Sequence, residues 1–150
     1  MKSIERRIIL IKKLVREYYN MGHGVPIFNY TELLRFFDVR GSKNLYHPHK
    51  NLRVYISRKS LKHYVESRKL ELAKNHNEKE VLDTIYFGID NLQETVINFS
   101  SYEYIPPQGH VYTKDYSNVG KPLLRVIVDL KKKTLEIRSI HFRKNKKKDN

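Results

Sequence analysis

The stretch Leu123-Leu-Arg-Val-Ile-Val-Asp-Leu130, followed by Lys131-Lys-Lys133 and Thr134-Leu-Glu-Ile-Arg-Ser-Ile-His-Phe142, decides the fold. Apolar and polar residues alternate with period two on both sides of a short basic turn, the signature of a β-hairpin. A tight turn at Lys131-Lys132 sets Val128 opposite Leu135 and Val126 opposite Ile137, with Leu124 facing Ser139. A register shift by two residues keeps the same faces. This reading puts Leu124, Val126, Val128, Leu135 and Ile137 on a face that packs against helices. Ser139 and His141 continue that face towards the sheet's end, and Arg125 and Arg138 lie on the other.

Working outward, His110 to Lys114 reads as a further strand after a Pro106-Pro-Gln-Gly109 turn, and Ser117 to Pro122 as a loop. The preceding chain has a different period. Ile4, Ile8, Ile11, Val15 and Tyr18 make one helical stripe over residues 3–20, and Gly22 to Pro26 break it. Asn29 with Glu32 resembles a capping box opening a second helix over 29–38, with Leu33, Leu34, Phe36 and Phe37 as its apolar side. Val54 to Ile56 reads as a short strand. Ser57 caps a helix to about Lys74 with Leu61, Val65 and Leu72 inward. Asn77 with Glu80 opens a long helix carrying Val81, Leu82, Ile85, Ile89, Leu92, Val96 and Phe99. Helices first and a small antiparallel sheet last, ending in the C-terminal hairpin, predict an α+β fold. The polar stretch 40–53 suggests a division into an N-terminal helical segment, 1–50, an α+β part, 51–143, and a disordered basic tail, 144–150.

Charge narrows the function classes. Thirty Lys and Arg against 16 Asp and Glu leave +14 over 150 residues. That excess is the footprint of a polyanionic partner, nucleic acid before an anionic membrane. The abundance of Lys, Asn, Ile and Tyr is also the mix an AT-rich coding sequence gives, but acidic residues have not risen with the lysines. The absence of cysteine excludes disulfides, thiolate metal sites and a cysteine nucleophile. The apolar run Ile8–Ile11 is too short for a signal-peptide core or a membrane span, so a cytoplasmic protein is expected.

Three places could hold chemistry. On the helix after Ser57, His63 and Glu66 share a side and are flanked by Lys59 and Lys62, an imidazole with a carboxylate and two cations, as phosphodiester work requires. On the strand His110–Lys114, Tyr112 could stack a base and Lys114 hold a phosphate. On the hairpin, Ser139 and His141 are the polar positions of an otherwise apolar face. His47 and His49 have a two-ligand spacing, but no local motif supplies a third ligand. There is no paired acidic motif, Walker loop, dinucleotide loop or nucleophile elbow. RNA carries its own nucleophile in the 2′-hydroxyl, so chemistry needing no metal and no cofactor points to RNA.

The stretches Val54-Tyr-Ile-Ser-Arg-Lys-Ser-Leu-Lys-His-Tyr-Val-Glu-Ser-Arg68, Val111-Tyr-Thr-Lys114 and Glu136-Ile-Arg-Ser-Ile-His-Phe142 resemble the barnase–EndoU–colicin–RelE superfamily of metal-independent ribonucleases, in particular its phage- and toxin-associated branches. The resemblance covers residues from about 54 to 143 as a general layout. It implies His63 as base or acid, Lys62 as a nearby cation, His141 as the second proton-transfer group and Ser139 as an orienting group. Lys59, Arg68, Tyr112, Thr113 and Lys114 would contact substrate, and an inhibitory protein partner would accompany a toxin. Two other readings compete. One is a non-catalytic nucleic-acid binder whose head is the pair 3–20 and 29–38. The other is a membrane-surface or acidic-protein binder using the basic helix 3–20.

Overall fold

The computed structural model describes residues 3–143. Helix α1 (Ser3–Asn20) leads to strands β1 (Leu33–Asp38) and β2 (Arg53–Ser57), then to helices α2 (Arg58–Leu72), α3 (Glu78–Asp90) and α4 (Leu92–Ile97). Four strands complete the chain: β3 (Ser101–Ile105), β4 (Gly109–Lys114), β5 (Leu123–Lys131) and β6 (Thr134–Arg143). The fold is α+β, with one six-stranded sheet in the order β1-β2-β6-β5-β4-β3. The last four strands form an antiparallel meander; the alternation predicts three of them, β4, β5 and β6, but not β3. The sheet as a whole is mixed, because β2 pairs with β6 in parallel, Val54 beside Leu135 and Ile56 beside Ile137.

Local signals place the helices well. α1 runs from Ser3 to Asn20 and buries Ile11, Leu14, Val15, Tyr18 and Tyr19. Ser57 Oγ accepts from the Ser60 N–H at 3.0 Å and starts α2. The Asn77–Glu80 capping box closes in both directions, at 2.8 and 3.0 Å. The long helix expected after it breaks at Asn91, whose side-chain amide and backbone N–H both donate to the Phe87 carbonyl, so α4 begins as a separate turn.

The predicted second helix over 29–38 is instead a turn and an edge strand. Asn29 adopts φ 56° and its carbonyl accepts from the Glu32 N–H, so the capping-box letters serve a turn. The following Leu33–Asp38 pairs with β2 through a bulge between Arg35 and Phe37. The extra residue lets two consecutive rings, Phe36 and Phe37, both enter the core, which neither helical nor strict strand periodicity anticipates.

All four helices bury side chains into one core with Val54, Ile56, Leu124, Val126, Val128, Leu135, Ile137 and Ile140 of the sheet. α1 contributes to it and β1 pairs with β2, so residues on both sides of the 40–53 stretch share that core. Ile127 and Val111 are buried outside this cluster, on the opposite face of the sheet. The tail expected over 144–150 lies outside the described residues.

Candidate nucleic-acid interface

One residue of β6 sets the geometry. Val128 is opposite Ile137 and Ile127 opposite Ser139, so Arg138 is an extra residue, a bulge. Before the bulge Leu135 and Ile137 face the helices; after it Ile140 does, and Phe142 packs against the same core. Strict alternation had placed Ser139 and His141 on the core side. The bulge reverses them: Ser139 is opposite Ile127 and His141 opposite Arg125, on the face away from the core cluster. Arg125 is also in register with Thr113 of β4, and Leu123 with Arg143.

Arg68 joins this face from α2. β2 pairs with β6 only as far as Ile137, leaving the next stretch of β6 without a strand partner on that side. Arg68, 8 % exposed, lies there: its Nη1 donates to the Ile140 carbonyl at 2.9 Å and to His141 Nδ1 at 3.3 Å. A guanidinium only donates, so Nδ1 accepts and the neutral ring carries its proton on Nε2. Burial, followed by the charges of Arg68, Arg125 and Arg143, pushes the His141 pKa down to about 4. At neutral pH His141 is therefore an uncharged donor set among three arginines. Burial and the Arg143 charge also lower the Arg125 pKa. This constellation suits an anion such as a phosphate, with Nε2–H and the guanidiniums as donors.

His63 occupies a neighbouring place. It lines an open cleft of about 430 Å³ with Lys59, Ser60, Asp129, Glu136 and Arg138, at the junction of β2, α2 and the β6 bulge. Its Nε2 is 3.4 Å from Ser67 Oγ. Among the described residues no hydrogen bond joins His63 to Ser139 or His141, and neither of those lines the cleft. His63 thus belongs to the cleft lining, and His141 to the constellation around Arg68. The Pro106–Gln108 turn borders both: Arg138 Nη1 donates to the Pro107 carbonyl at 2.8 Å, and Arg125 Nη2 to Gln108 Oε1 at 3.3 Å.

Other predicted site residues are used differently. Lys62 is buried and spends its ammonium on Glu66 at 2.6 Å, so it is no substrate cation. Glu66 also accepts from the Gly24 N–H at 2.7 Å, which ties down the 21–28 segment. Tyr112 is completely buried and cannot stack a base. Lys114 is held by the Asn98 carbonyl at 2.7 Å and by Glu94 at 3.7 Å. Lys59 stays in the cleft and lies over the Tyr30 ring. Residues the sequence reading left out are Asp129, Glu136 and Arg143. The signal was present in the polar positions of the hairpin's outward face.

His47 and His49 are structural. His47 Nε2–H donates to the Val96 carbonyl at 2.7 Å, and its Nδ1 accepts from the His49 N–H at 3.1 Å. His49 Nδ1 is 2.5 Å from the Tyr112 hydroxyl, and its ring packs edge-on against His110. His110 Nδ1 is joined to the Tyr102 hydroxyl at 2.7 Å. Burial lowers the pKa of all three histidines, that of His49 to about 4. These bonds pin the 40–52 stretch to α4 through His47 and to β4 through His49. Among the described residues no group of three or more His, Asp or Glu side chains is arranged to hold a metal ion, and no helix is long and apolar enough to cross a membrane.

Comparison with known proteins finds no matching family model, no matching curated protein and no matching solved structure.

Proposed function

We propose that this chain binds RNA, with the phosphate backbone lying on the face of the sheet away from the core. The observation that carries the reading is the Arg68–His141 pair flanked by Arg125 and Arg143, on the sheet face opposite the core cluster. A phosphate there meets several fixed donors at once. Arg68 is already immobilised by its bond to Ile140, so less side-chain entropy is lost on binding. The excess charge of the rest of the chain steers a polyanion towards the protein.

The test is binding of a fluorescently labelled single-stranded RNA at several salt concentrations, with the double variant Arg125→Ala/Arg143→Ala. Loss of two phosphate contacts is expected to weaken binding about 10-fold or more and to flatten the salt dependence by one to two units of slope. Unchanged affinity and unchanged slope refute this interface.

A second reading, RNA cleavage in the manner of a metal-independent toxin or phage ribonuclease, is favoured by His63 standing beside Glu136 in the adjoining cleft. In that reading His63 takes the proton of a 2′-hydroxyl as the 2′-oxygen–phosphorus bond forms. The 5′-oxygen bond breaks, and the leaving oxygen takes a proton from water. Arg138 and the arginines around His141 carry the charge on phosphorus. Cleavage in the presence of a chelator, lost about 10²-fold in His63→Ala, would support it. Intact RNA under conditions where binding is saturated would leave binding alone.

A further inference from the structure

The His63 cleft carries both signs of charge, Lys59 and Arg138 against Asp129 and Glu136. Asp129 and Glu136 stand opposite each other on β5 and β6 and form one wall. Asp129 is 3.7 Å from Arg138. The Glu136 carboxylate has neither an ion pair nor a side-chain hydrogen bond among the described residues, although the chain carries 30 cationic side chains. That half-buried carboxylate is free to accept from N–H donors entering the cleft, and a phosphate, itself an acceptor, cannot supply them.

A nucleobase can. The cleft, at about 430 Å³, is large enough for one base with part of its sugar. It lies on the same strand as the arginine site: Glu136 and His141 are five residues apart, at most about 16 Å along β6. A backbone held at His141 could therefore turn a base towards Glu136. Carboxylates only accept hydrogen bonds, so they favour bases with an exocyclic amine, whereas uracil sets carbonyl oxygens on both sides of its one N–H. Lys59, Ser60 and Arg138 supply donors for the base's ring nitrogens and carbonyls. The Watson–Crick edge of a duplex is occupied by its partner and cannot enter.

We propose that the Glu136–Asp129 cleft takes one unpaired, amino-bearing base of the bound strand, so that the ligand is single-stranded and cytosine is preferred to uracil. This rests on the RNA-binding reading above.

The experiment measures binding of labelled oligocytidine and oligouridine 12-mers, and of a blunt RNA duplex of the same length, to wild type, Glu136→Gln and Arg125→Ala. Oligocytidine is expected to bind about 10-fold more tightly than oligouridine, and the duplex less tightly than oligocytidine. Glu136→Gln is expected to bring the cytidine-to-uridine ratio close to one. Arg125→Ala is expected to weaken both single strands while keeping the ratio. Equal binding of the two single strands by wild type, a ratio untouched in Glu136→Gln, or a duplex bound as tightly as oligocytidine overturns the base cleft while RNA binding stands. Failure of every RNA to bind overturns both.

Discussion

Lowering the pH from 7.5 to 5.0 will destabilise the fold by about 2 kcal/mol through His49 alone. His49 is 6 % exposed, with Nδ1 against the Tyr112 hydroxyl and the His110 ring at its edge. Burial, then the neighbouring His110 and His47, lowers its pKa from 6.5 to about 4 in the folded protein. Above pH 6.5 both folded and unfolded chains hold the ring neutral, and the residue adds no pH dependence. Between 6.5 and 4 the unfolded chain takes up a proton that the folded chain refuses, so stability falls as pH falls. Below 4 both forms are protonated, and the full penalty, about 3 kcal/mol, is reached. At pH 5 the same relation gives about 2 kcal/mol, a large share of the stability of an ordinary domain. Groups near this cluster do not relieve the effect. Lys50 adds to the lowering at His47, and Asp129 raises only the pKa of His110, against its burial. His141 titrates in the same window, so the His49 share is isolated by difference. Urea unfolding would be followed by far-ultraviolet circular dichroism at pH 7.5 and 5.0, in wild type and in His49→Gln. The variant, uncharged throughout, should be less stable at pH 7.5 yet lose about 2 kcal/mol less on acidification. Equal acid losses in the two proteins, or a His49 ring signal titrating near 6.5 by NMR, would refute the buried placement of the 40–52 stretch.

Two further outcomes test the packing beneath the site. Gly88 sits in α3 where an added Cβ would meet the Tyr64 hydroxyl and Phe142, so Gly88→Ala should cost about 1–3 kcal/mol in a thermal melt despite its better helix propensity; Tyr64→Phe should restore part of the loss. Lys62→Met should cost about 1–3 kcal/mol by leaving Glu66 with only the Gly24 N–H. Burial raises the Glu66 pKa, but the Lys62 and Gly24 hydrogen bonds outweigh it. Removing the lysine should therefore shift the Glu66 titration upward by NMR.

Much of this architecture is local and can be read without coordinates. The α1 stripe, the Ser57 cap and the Asn77–Glu80 capping box depend on residues within one or two helical turns. The hairpin and the outward position of Arg125 follow from alternation. The helix on which Lys59, His63 and Arg68 lie is equally plain. Their roles are not: Lys62 looks as available as Lys59 in the sequence, yet one is buried against Glu66 and the other is open to the cleft. Tyr112 has the composition of a stacking residue and is instead the floor under His49.

The amino-acid sequence by itself determined an α+β fold, the starts of α1, α2 and α3, the C-terminal hairpin and the excess of positive charge, because each depends on neighbours along the chain. Tertiary structure decided what distant residues do to one another. Pairing with β2 turned Leu33–Asp38 from a helix into a strand, and parallel pairing of β2 with β6 ended at Ile137 and left room for Arg68. One extra residue at Arg138 then moved Ser139 and His141 from the core side to the opposite face. A bulge costs little locally and reverses every side chain beyond it, so its position is set by the packing of the whole sheet and not by the residues that form it.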